Sequence, residues 1–361
     1  VRLVPGPRCP ARLVAEPEGA GSGEADMVTS AASVITGAAP QRGVARSIVA
    51  MAMRAPSLHN TQPWRWRICS EHTLELYADH DRQLHGVDPR GRLMMLSLGS
   101  ALHHAVVAAR SVDRAVRVER LPDGGPPDLV ARLHLEGRSP SRPEDRIALA
   151  SLVARRTDRR PFSSWEVPDE ILQRLAEVST QAGAPAVVLD VSQRVAVEHL
   201  VSTASVLQAS RRLVEREHAR WWAIEPRATY DGVPADLVPD RVVDPLGRGR
   251  DGAGVLDGTP AEAVAERAAV LAICHEDDNR AGWLAAGEAL SAVWLEAVAE
   301  GLGGVPVSLP VEEPELREQL RSGVLGLAVQ PQVLLRLGWP HTSTTRLPAS
   351  PRRPIDDVLV P

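Results

Sequence analysis

The first part of the chain switches between helical and strand-like spacing of its apolar positions. Residues 41–54 place apolar side chains three and four positions apart, which predicts a helix that ends at Ala55 because Pro56 follows. Residues 91–111 are apolar on nearly every side and predict a buried helix. Alternating apolar and polar residues predict strands at 64–68, 74–78, 115–121 and 128–135.

The second part repeats this pattern around one long interruption. Helices are predicted at 143–156, 168–182, 192–222 and 281–300, and strands at 185–190, 268–273, 304–309 and 331–337. The stretch from about 222 to 260 is rich in Pro, Gly and Asp and has no clear period, which is typical of a lid or a disordered loop. We expect it to form a lid.

The two parts resemble copies of one unit. With an offset of 188 positions, Gly99–Leu102 aligns with Gly287–Leu290, and Val118–Pro122 aligns with Pro306–Pro310. In both copies a helix leads into a short strand that ends in Leu-Pro. The matches are short, so chance similarity of two helix-strand units is the alternative explanation.

These elements predict an α+β protein with an antiparallel-rich sheet flanked by helices and two pseudo-symmetric halves, 41–142 and 143–361. Residues 1–40 are expected to be a disordered N-terminal extension. The first 26 residues are rich in Pro, Gly and Ala and lack the apolar core of a signal peptide, and Met27 is an alternative start. No uncharged apolar run reaches eighteen residues, so no membrane span is expected.

The composition of the chain limits the kinds of ligand and the mechanisms that can be expected. The chain has 361 residues, of which 44% are hydrophobic, and a formal net charge of -5. This charge gives neither the basic footprint of a nucleic-acid-binding protein nor a polybasic membrane patch, so a small molecule is the expected ligand. All 41 Lys+Arg positions are arginine. Lysine-based mechanisms are therefore excluded, and any cationic role falls to guanidinium.

The cysteines indicate a reducing compartment. Cys9, Cys69 and Cys274 are far apart and follow no CxxC spacing, so neither a zinc site nor a disulfide framework is predicted. We expect a cytoplasmic protein without a metal site.

Residues 55–64, APSLHNTQPW, form a candidate binding loop between a helix and a strand. Two prolines rigidify the loop, and Ser57, Asn60, Thr61 and Gln62 offer neutral donors and acceptors that suit the carbonyl and imide edge of a planar heterocycle. The alternative is a tight turn whose polar side chains satisfy their own backbone.

Residues 155–160, RRTDRR, form a candidate phosphate site at the end of a helix. Arginine can bind a phosphomonoester with two parallel hydrogen bonds, and Thr157 adds a hydroxyl donor. The alternative is a solvated surface face that Asp158 partly neutralises.

Residues 301–308, GLGGVPVS, follow a helix and open a strand. One glycine would be an ordinary helix stop, but Gly303 and Gly304 before Val305-Pro306 predict that the backbone approaches a flat ligand closely. The corresponding positions of the first half are Ala115 and Val116.

Together these segments resemble the nitroreductase family, and in particular its Acg-like branch of single-chain flavoproteins. Residues 55–64 match the family pattern Pro-Ser-x-x-Asn-x-Gln-Pro-Trp before a strand, and residues 155–160 resemble its Arg-x-Ser-x-Arg/Lys stretch. The tail 351–359 resembles the family's C-terminal Arg followed two residues on by Pro. The resemblance covers about residues 41–361.

The resemblance implies one FMN held between the two halves, with its phosphate near the arginines and its N5 edge near the glycine-rich strand. The implied FMN-binding residues are Pro56, Ser57, Leu58, Asn60, Gln62, Arg155, Arg156, Thr157, Arg159, Gly304, Pro306, Val307, Ser308 and Arg352. No catalytic acid or base is named, because the chemistry belongs to the flavin. His59 is expected at most to line the site, and Trp221, Trp222 and Tyr230 either cover the flavin or pack the helix end.

The activity that the resemblance implies is an FMN-dependent oxidoreductase, in which NAD(P)H reduces the flavin and the flavin reduces a nitroaromatic, quinone or similar acceptor. Many family members carry Glu and then Gly in the N5 strand, where this chain has Ser308 and Leu309, so nicotinamide docking and acceptor preference stay open. The alternatives are an FMN-sequestering or storage protein without turnover and a flavin-dependent dehydrogenase or oxidase of a biosynthetic pathway. A duplicated chain already contains both sides of the family's dimer interface, so we expect a monomer that acts as a fused pseudo-dimer.

Overall fold

Two antiparallel-rich sheets, each packed against helices, build the described part of the protein. The structure is a computed structural model, and it describes residues 42–224, 229–239, 267–341 and 347–361. The predicted N-terminal extension, residues 1–40, and residues 225–228 and 240–260 of the predicted lid lie outside the described residues.

The first sheet is formed mainly by the first half of the chain. Its helices are α1 (Arg42–Ala52) and α2 (Arg92–Ser111), and its strands are β1 (Trp64–Ser70), β2 (Thr73–Ala78), β3 (Arg114–Arg120) and β4 (Leu129–Arg138). Neighbouring strands among these four are antiparallel. A short strand from the end of the chain (Leu359–Val360) pairs in parallel with β1 at the sheet edge.

The second sheet is formed by the second half. Its helices are α3 (Pro143–Ala154), α4 (Asp169–Gln181), α5 (Val191–Ala209), α6 (Arg212–Trp221), α7 (Arg280–Ala299), α8 (Leu309–Glu312) and α9 (Pro314–Glu318). Its strands are β5 (Ala186–Val188), β8 (Ala269–His275), β9 (Gly303–Val307) and β10 (Gln330–Gly338). Two short strands, β6 (Trp222–Ile224) and β7 (Val233–Pro234), pair with each other outside both sheets. The strand at the end of the chain is β11.

The strand order is the same in the two sheets when β11 is set aside. The first sheet has the order β1-β2-β4-β3, and the second has the order β5-β8-β10-β9. Along the chain, a long helix lies between the second and third strands of each sheet. This helix is α2, between β2 and β3, in the first sheet and α7, between β8 and β9, in the second. The two halves thus share one order of the four sheet strands and the position of one long helix, whereas the second half carries further helices and short strands between its sheet strands.

The predicted helices and strands are confirmed, with one exception. The single helix predicted at 192–222 is wrong, because the chain forms α5 and α6 with a break at Ser210 and Arg211. Arg211 has φ -96° and ψ 107°, which is extended rather than helical backbone. Its guanidinium binds both carboxylate oxygens of the buried Glu313 at 2.8 and 2.6 Å. The break also lets Val214 and Trp221 of α6 pack in a separate apolar cluster.

Helices α2 and α7 touch through their backbones at Gly99 and Gly287. A Cβ atom on Gly99 would lie 2.1 Å from the Leu284 carbonyl oxygen, and a Cβ atom on Gly287 would lie 2.0 Å from the Leu96 carbonyl oxygen. Real Cβ atoms do not approach an oxygen so closely, so the two helices can meet at this distance only because both positions are glycine.

Polar side chains flank this helix contact. The Ser100 hydroxyl donates to the Gly287 carbonyl at 2.9 Å, and His103 Nδ1 lies 2.8 Å from Ser291 Oγ. His103 and Ser291 are 188 positions apart, the offset at which the sequence repeat was found. Residues at this offset face each other across the contact, which is the arrangement expected where like units meet at a two-fold axis.

Helix α2 is also long and apolar enough to cross a membrane by length and composition. However, 89% of its most apolar window is buried inside the protein. In this structure α2 is a central core helix, and its apolar side chains contact both sheets' cores.

We expect Gly287→Ala to lower the free energy of unfolding by about 1–3 kcal/mol, because the added methyl group would push α7 away from α2. The better helix propensity of alanine, worth about 1 kcal/mol, would offset only part of this cost. Urea and thermal unfolding followed by circular dichroism would measure the change.

Gly323→Ala is the matched control, because a Cβ atom there meets nothing within 4 Å. An unfolding midpoint of Gly287→Ala equal to that of Gly323→Ala would show that the helices are not in the close contact described.

Candidate functional site

A cavity lies where the first-half loop 56–60, the stretch 155–159, strand β9 and the C-terminal tail come together. About 1250 Å³ of space lies between its walls, a volume that includes solvent at its open mouth. The predicted residues that line it are Pro56, Ser57, Leu58, Asn60, Arg155, Thr157, Arg159, Pro306, Ser308 and Arg352. The predicted residues outside its wall are Gln62, Arg156, Gly304 and Val307. Segments separated by up to three hundred positions in the chain thus meet at one cavity.

The loop that follows α1 has an unusual backbone. His59, Asn60 and Gln62 have φ values of 47°, 55° and 53°, in the left-handed region that side chains other than glycine seldom adopt. The Ser57 hydroxyl accepts a hydrogen bond from the Gln62 backbone amide at 2.9 Å and so closes the turn. This contact is the one that the structural-turn alternative predicted for Ser57.

Asn60 and Gln62 bind other parts of the protein with their side chains. The Asn60 amide donates to the Gly232 carbonyl at 2.9 Å and to the Pro351 carbonyl at 3.1 Å. The Gln62 amide donates to the Tyr230 carbonyl at 2.9 Å, and its oxygen accepts from the Arg353 backbone amide at 3.0 Å. We call residues 229–239 the lid segment. The side chains of Asn60 and Gln62 therefore hold both the lid segment and the C-terminal tail against the loop.

An ion pair adds to this attachment of the lid segment. Arg82 binds the Asp231 carboxylate and the Thr61 carbonyl, both at 2.8 Å. Gly232, Val233 and Leu237 of the segment line the cavity, whereas the Tyr230 side chain is exposed.

The Arg352 guanidinium donates hydrogen bonds to backbone carbonyls of the turn that follows α1. Its Nε donates to the Met53 carbonyl at 2.7 Å, and its Nη2 donates to the Arg54 and Ala55 carbonyls at 2.9 and 3.1 Å. Its Nη1 donates to Asn60 Oδ1 at 3.0 Å. A guanidinium suits this place, because three backbone carbonyls of the turn that follows α1 accept its hydrogen bonds. Arg352 thus fastens the tail to α1, and what it offers to the cavity is mainly its charge.

Arg155 is the buried cation of the cavity wall, with only 6% of its surface exposed. Its Nη2 donates to the Arg54 carbonyl at 3.1 Å, the same oxygen that accepts from Arg352. Its guanidinium lies over the ring of Trp294, 4.5 Å from the centroid. The Nε and Nη1 groups of Arg155 are buried and have no hydrogen-bond partner among the residues that the structure describes.

Within the described part of the chain, the charges that act on Arg155 are all positive. Loss of solvation lowers the pKa of Arg155 well below its ordinary value, and the like charges of Arg352, Arg156 and Arg54 lower it further. The same causes, burial first, lower the pKa of Arg352 to about 9. Burying cations together without an anion is costly. An anionic group in the cavity would satisfy the donors of Arg155 and offset the repulsion.

The rest of the stretch 155–160 is not a solvated face. Asp158 binds the guanidinium of Arg160 at 2.9 and 2.8 Å, and both residues are buried. The Asp158 amide donates to the Gly304 carbonyl at 3.0 Å, which joins the stretch to β9 beside Thr157. Arg159 lies over the Trp222 ring at 4.9 Å, and burial lowers its pKa to about 10. Asp158 therefore pairs directly with Arg160, and its negative charge also acts on the cavity-lining Arg159.

The glycines of β9 make room for protein side chains. A Cβ atom on Gly304 would lie 2.7 Å from Trp294 Nε1, and one on Gly303 would lie 2.6 Å from the Phe162 ring. Packing against these aromatic rings is one physical reason for both glycines, and the approach of a flat ligand to this backbone stays a prediction. Val307 also faces a core cluster, so β9 contributes Val305 and Pro306 to the cavity, followed by Ser308.

Arg156 lies beside the cavity but caps its own helix. Its Nη1 donates to the Val153, Ala154 and Arg155 carbonyls at 2.8 to 3.1 Å. Arg156 contributes positive charge beside the cavity, and this charge is one of those that lower the pKa of Arg155.

Sequence reasoning missed the wall that α5, α6 and α8 contribute, which includes Gln208, His218 and Glu312. The ring of His218 stacks on Trp222 at 5.5 Å, and His59 packs edge-on against His218 at 6.1 Å. The signal for His218 was its position four residues after Val214 on one helix face.

Comparison with known proteins agrees with this geometry. Residues 152–339 match the model described as the Nitroreductase family. "Putative NAD(P)H nitroreductase Rv3131" of Mycobacterium tuberculosis is 37% identical over 326 residues, which cover 89% of this chain and 92% of that protein. "Putative NAD(P)H nitroreductase acg" of the same organism is 34% identical over 323 residues, which cover 88% and 95%.

Among solved structures, the FMN-dependent nitroreductase NfnB from Mycobacterium smegmatis in complex with NADPH is similar, with 18% identity and a TM-score of 0.37. The similarity covers 58% of this chain and 96% of that one.

Proposed function

The chain belongs to the nitroreductase family, and on that premise we propose that it is an FMN-dependent oxidoreductase that takes electrons from NAD(P)H and reduces a small organic acceptor such as a nitroaromatic or a quinone. When bound, FMN would supply the redox chemistry by accepting a hydride and passing electrons on. The protein would bind, orient and shield the cofactor.

The observation that carries this proposal is the buried arginine cluster. Among the described residues, Arg155 has two donor groups without hydrogen-bond partners, and three further guanidinium groups, those of Arg54, Arg156 and Arg352, lie near enough to lower its pKa. A phosphate with two negative charges fits this donor set, because arginine binds phosphate oxygens in pairs. Thr157 would add a hydroxyl donor, and Arg352 would add charge.

The remaining walls suit the rest of FMN. Pro56, Leu58, Val305 and Pro306 offer apolar surface and a rigid backbone to a planar ring. Arg159 would lie where it could stabilise negative charge on the reduced cofactor. Gln62, Gly304 and Val307 would support the site from outside its wall, through the contacts described above.

A fused pseudo-dimer accounts for the architecture. The shared strand order, the glycine contact between α2 and α7 and the 188-position offset all support two pseudo-symmetric halves. Only the first half carries the 56–62 loop, and only the second carries the 155–160 stretch, so one composite cavity is the expected outcome. We expect this chain to act as a cytoplasmic monomer.

Sequestration of FMN without turnover is the second candidate, and one observation favours it. The lid segment is fixed to the loop by Asn60, Gln62 and Arg82, and it lines the cavity with Leu237. A covered flavin would have little room for nicotinamide above its ring. A flavin-dependent dehydrogenase or oxidase of a biosynthetic pathway would bind the same cofactor and would differ from the proposed reductase in its substrate.

We expect the wild-type protein to bind FMN more tightly than riboflavin, which lacks the phosphate. Arg155→Ala should weaken FMN binding about 10- to 100-fold, the range for losing a charged hydrogen-bond partner, and leave riboflavin binding nearly unchanged. Fluorescence titration of the apoprotein with each flavin measures both affinities. Arg146→Ala, an exposed position on α3, is the control for loss of one positive charge. Equal losses for FMN and riboflavin would contradict the phosphate assignment.

We expect the purified protein to be yellow and to bleach when NADPH or NADH is added without oxygen. Absorbance near the flavin maximum follows this reaction directly. A yellow protein that neither nucleotide bleaches would support sequestration. A colourless protein that does not take up added FMN would rule out both candidates.

We expect a single chain in solution, because the contact between α2 and α7 already joins the two halves. Size-exclusion chromatography with light scattering should give the mass of one chain, 38.8 kDa. Twice that mass would show that the fused halves still need a partner copy.

A further inference from the structure

The ring of Trp294 on α7 lies against the buried cation of the cavity wall. The Arg155 guanidinium stands over this ring, 4.5 Å from its centroid. Trp294 is fully buried and lies outside the described lining of the cavity, whereas Arg155 is part of that lining. Trp294 therefore reaches the cavity through the side chain of Arg155 and not by a surface of its own.

The indole offers Arg155 the face of its ring and not a hydrogen bond. The Nε1 group of Trp294 is buried and has no hydrogen-bond partner among the described residues. The Arg155 guanidinium itself donates one hydrogen bond, from Nη2 to the Arg54 carbonyl. The negative face of an aromatic ring attracts a guanidinium, and this attraction is stronger where water is excluded. Within the described part of the chain, one backbone carbonyl and one ring face thus hold this cation.

An aromatic face suits a cation that must stay available to an anion. Arg54, Arg156 and Arg352 carry the same charge as Arg155 and repel it. A carboxylate would also hold Arg155 in this cluster, but it would cancel the charge and engage the N–H donors. The ring of Trp294 attracts the guanidinium without supplying a negative charge or an oxygen acceptor, so the Nε and Nη1 donors stay free for an anion in the cavity.

The fold fixes the position of the Trp294 ring. A Cβ atom on Gly304 would lie 2.7 Å from Trp294 Nε1 and 3.2 Å from its Cδ1, so a larger residue at this place in β9 would push the ring away. Leu335 and Leu337 of β10 belong to the same apolar core cluster as Trp294. The ring is therefore in place before any ligand binds.

We infer that Trp294 is a positioning residue for phosphate recognition, because its ring holds Arg155 in place for a phosphomonoester. It thereby sets how strongly the chain distinguishes FMN from a flavin without a phosphate. This inference rests on the proposed function, since it takes Arg155 as an arginine that binds the cofactor phosphate. Gly304 serves the site by leaving room for the ring.

Fluorescence titration of the apoprotein with FMN and with riboflavin tests this inference. We expect Trp294→Leu to weaken FMN binding about 3- to 30-fold, the range for losing a desolvated contact between a guanidinium and an indole, and to leave riboflavin binding nearly unchanged. Trp294→Phe keeps an aromatic face and should fall between Trp294→Leu and the wild type. A residue that only fills the core would affect both flavins alike.

Trp283→Leu is the matched control, because it removes an equal ring from the same helix. Trp283 is also buried and also has an arginine over its ring, Arg90, at 5.2 Å from the centroid. It precedes Trp294 by eleven residues, which corresponds to about 16 Å along the helix axis. This variant should keep the wild-type ratio of the affinities for FMN and riboflavin.

A double-mutant cycle shows whether the ring acts through Arg155. In a protein that already carries Arg155→Ala, Trp294→Phe should change the ratio of the two affinities by less than about twofold, the usual error of additivity. Independent and additive losses would overturn the inference. A wild-type ratio in every Trp294 variant that folds would overturn it as well.

The same titrations separate this inference from the proposed function. If Arg155→Ala lowers the preference for FMN and the Trp294 variants do not, the inference alone fails. If Arg155→Ala leaves the preference unchanged, the phosphate assignment of the proposed function fails together with the inference.

Discussion

The backbone contact between α2 and α7 is the constraint on which the architecture depends. Each helix carries the apolar face of its own sheet, and the two can share one core only at the distance that Gly99 and Gly287 allow. A methyl group at either position would separate the two layers. The cavity is formed by segments from both layers, so its width depends on this distance as well.

Much of the fold could be predicted from the sequence, because its elements have clear periods. Helix α2 was predicted from continuous apolar character, and β1 and β2 were predicted from strict alternation. The break between α5 and α6 could not be predicted, since it depends on the pairing of Arg211 with Glu313, which lies 102 positions away. Local pattern carries no information about such a partner.

Part of the candidate site could likewise be predicted from the sequence, and part of it could not. The residue types in 56–62 and 155–160 were informative, and the two stretches do meet at one cavity. The contacts that single residues of the site make could not be predicted from the sequence. Asn60 offers the polar groups of a ligand-binding residue but uses them on the lid segment and the tail, and Gly304 is small because Trp294 needs the space. Gln208 belongs to a segment that was predicted as plain helix, and Glu312 lies between two predicted strands, where no element was predicted.

The tail strand β11 has a consequence for how the site is assembled. The chain returns from its second half to pair with β1, and Arg352 binds Asn60 across 292 positions. Neither half can therefore complete the cavity alone, and during synthesis the first loop must wait for the last segment before its partners exist. Cofactor uptake would come at the end of folding, so a bound flavin would mark chains whose two halves have already joined.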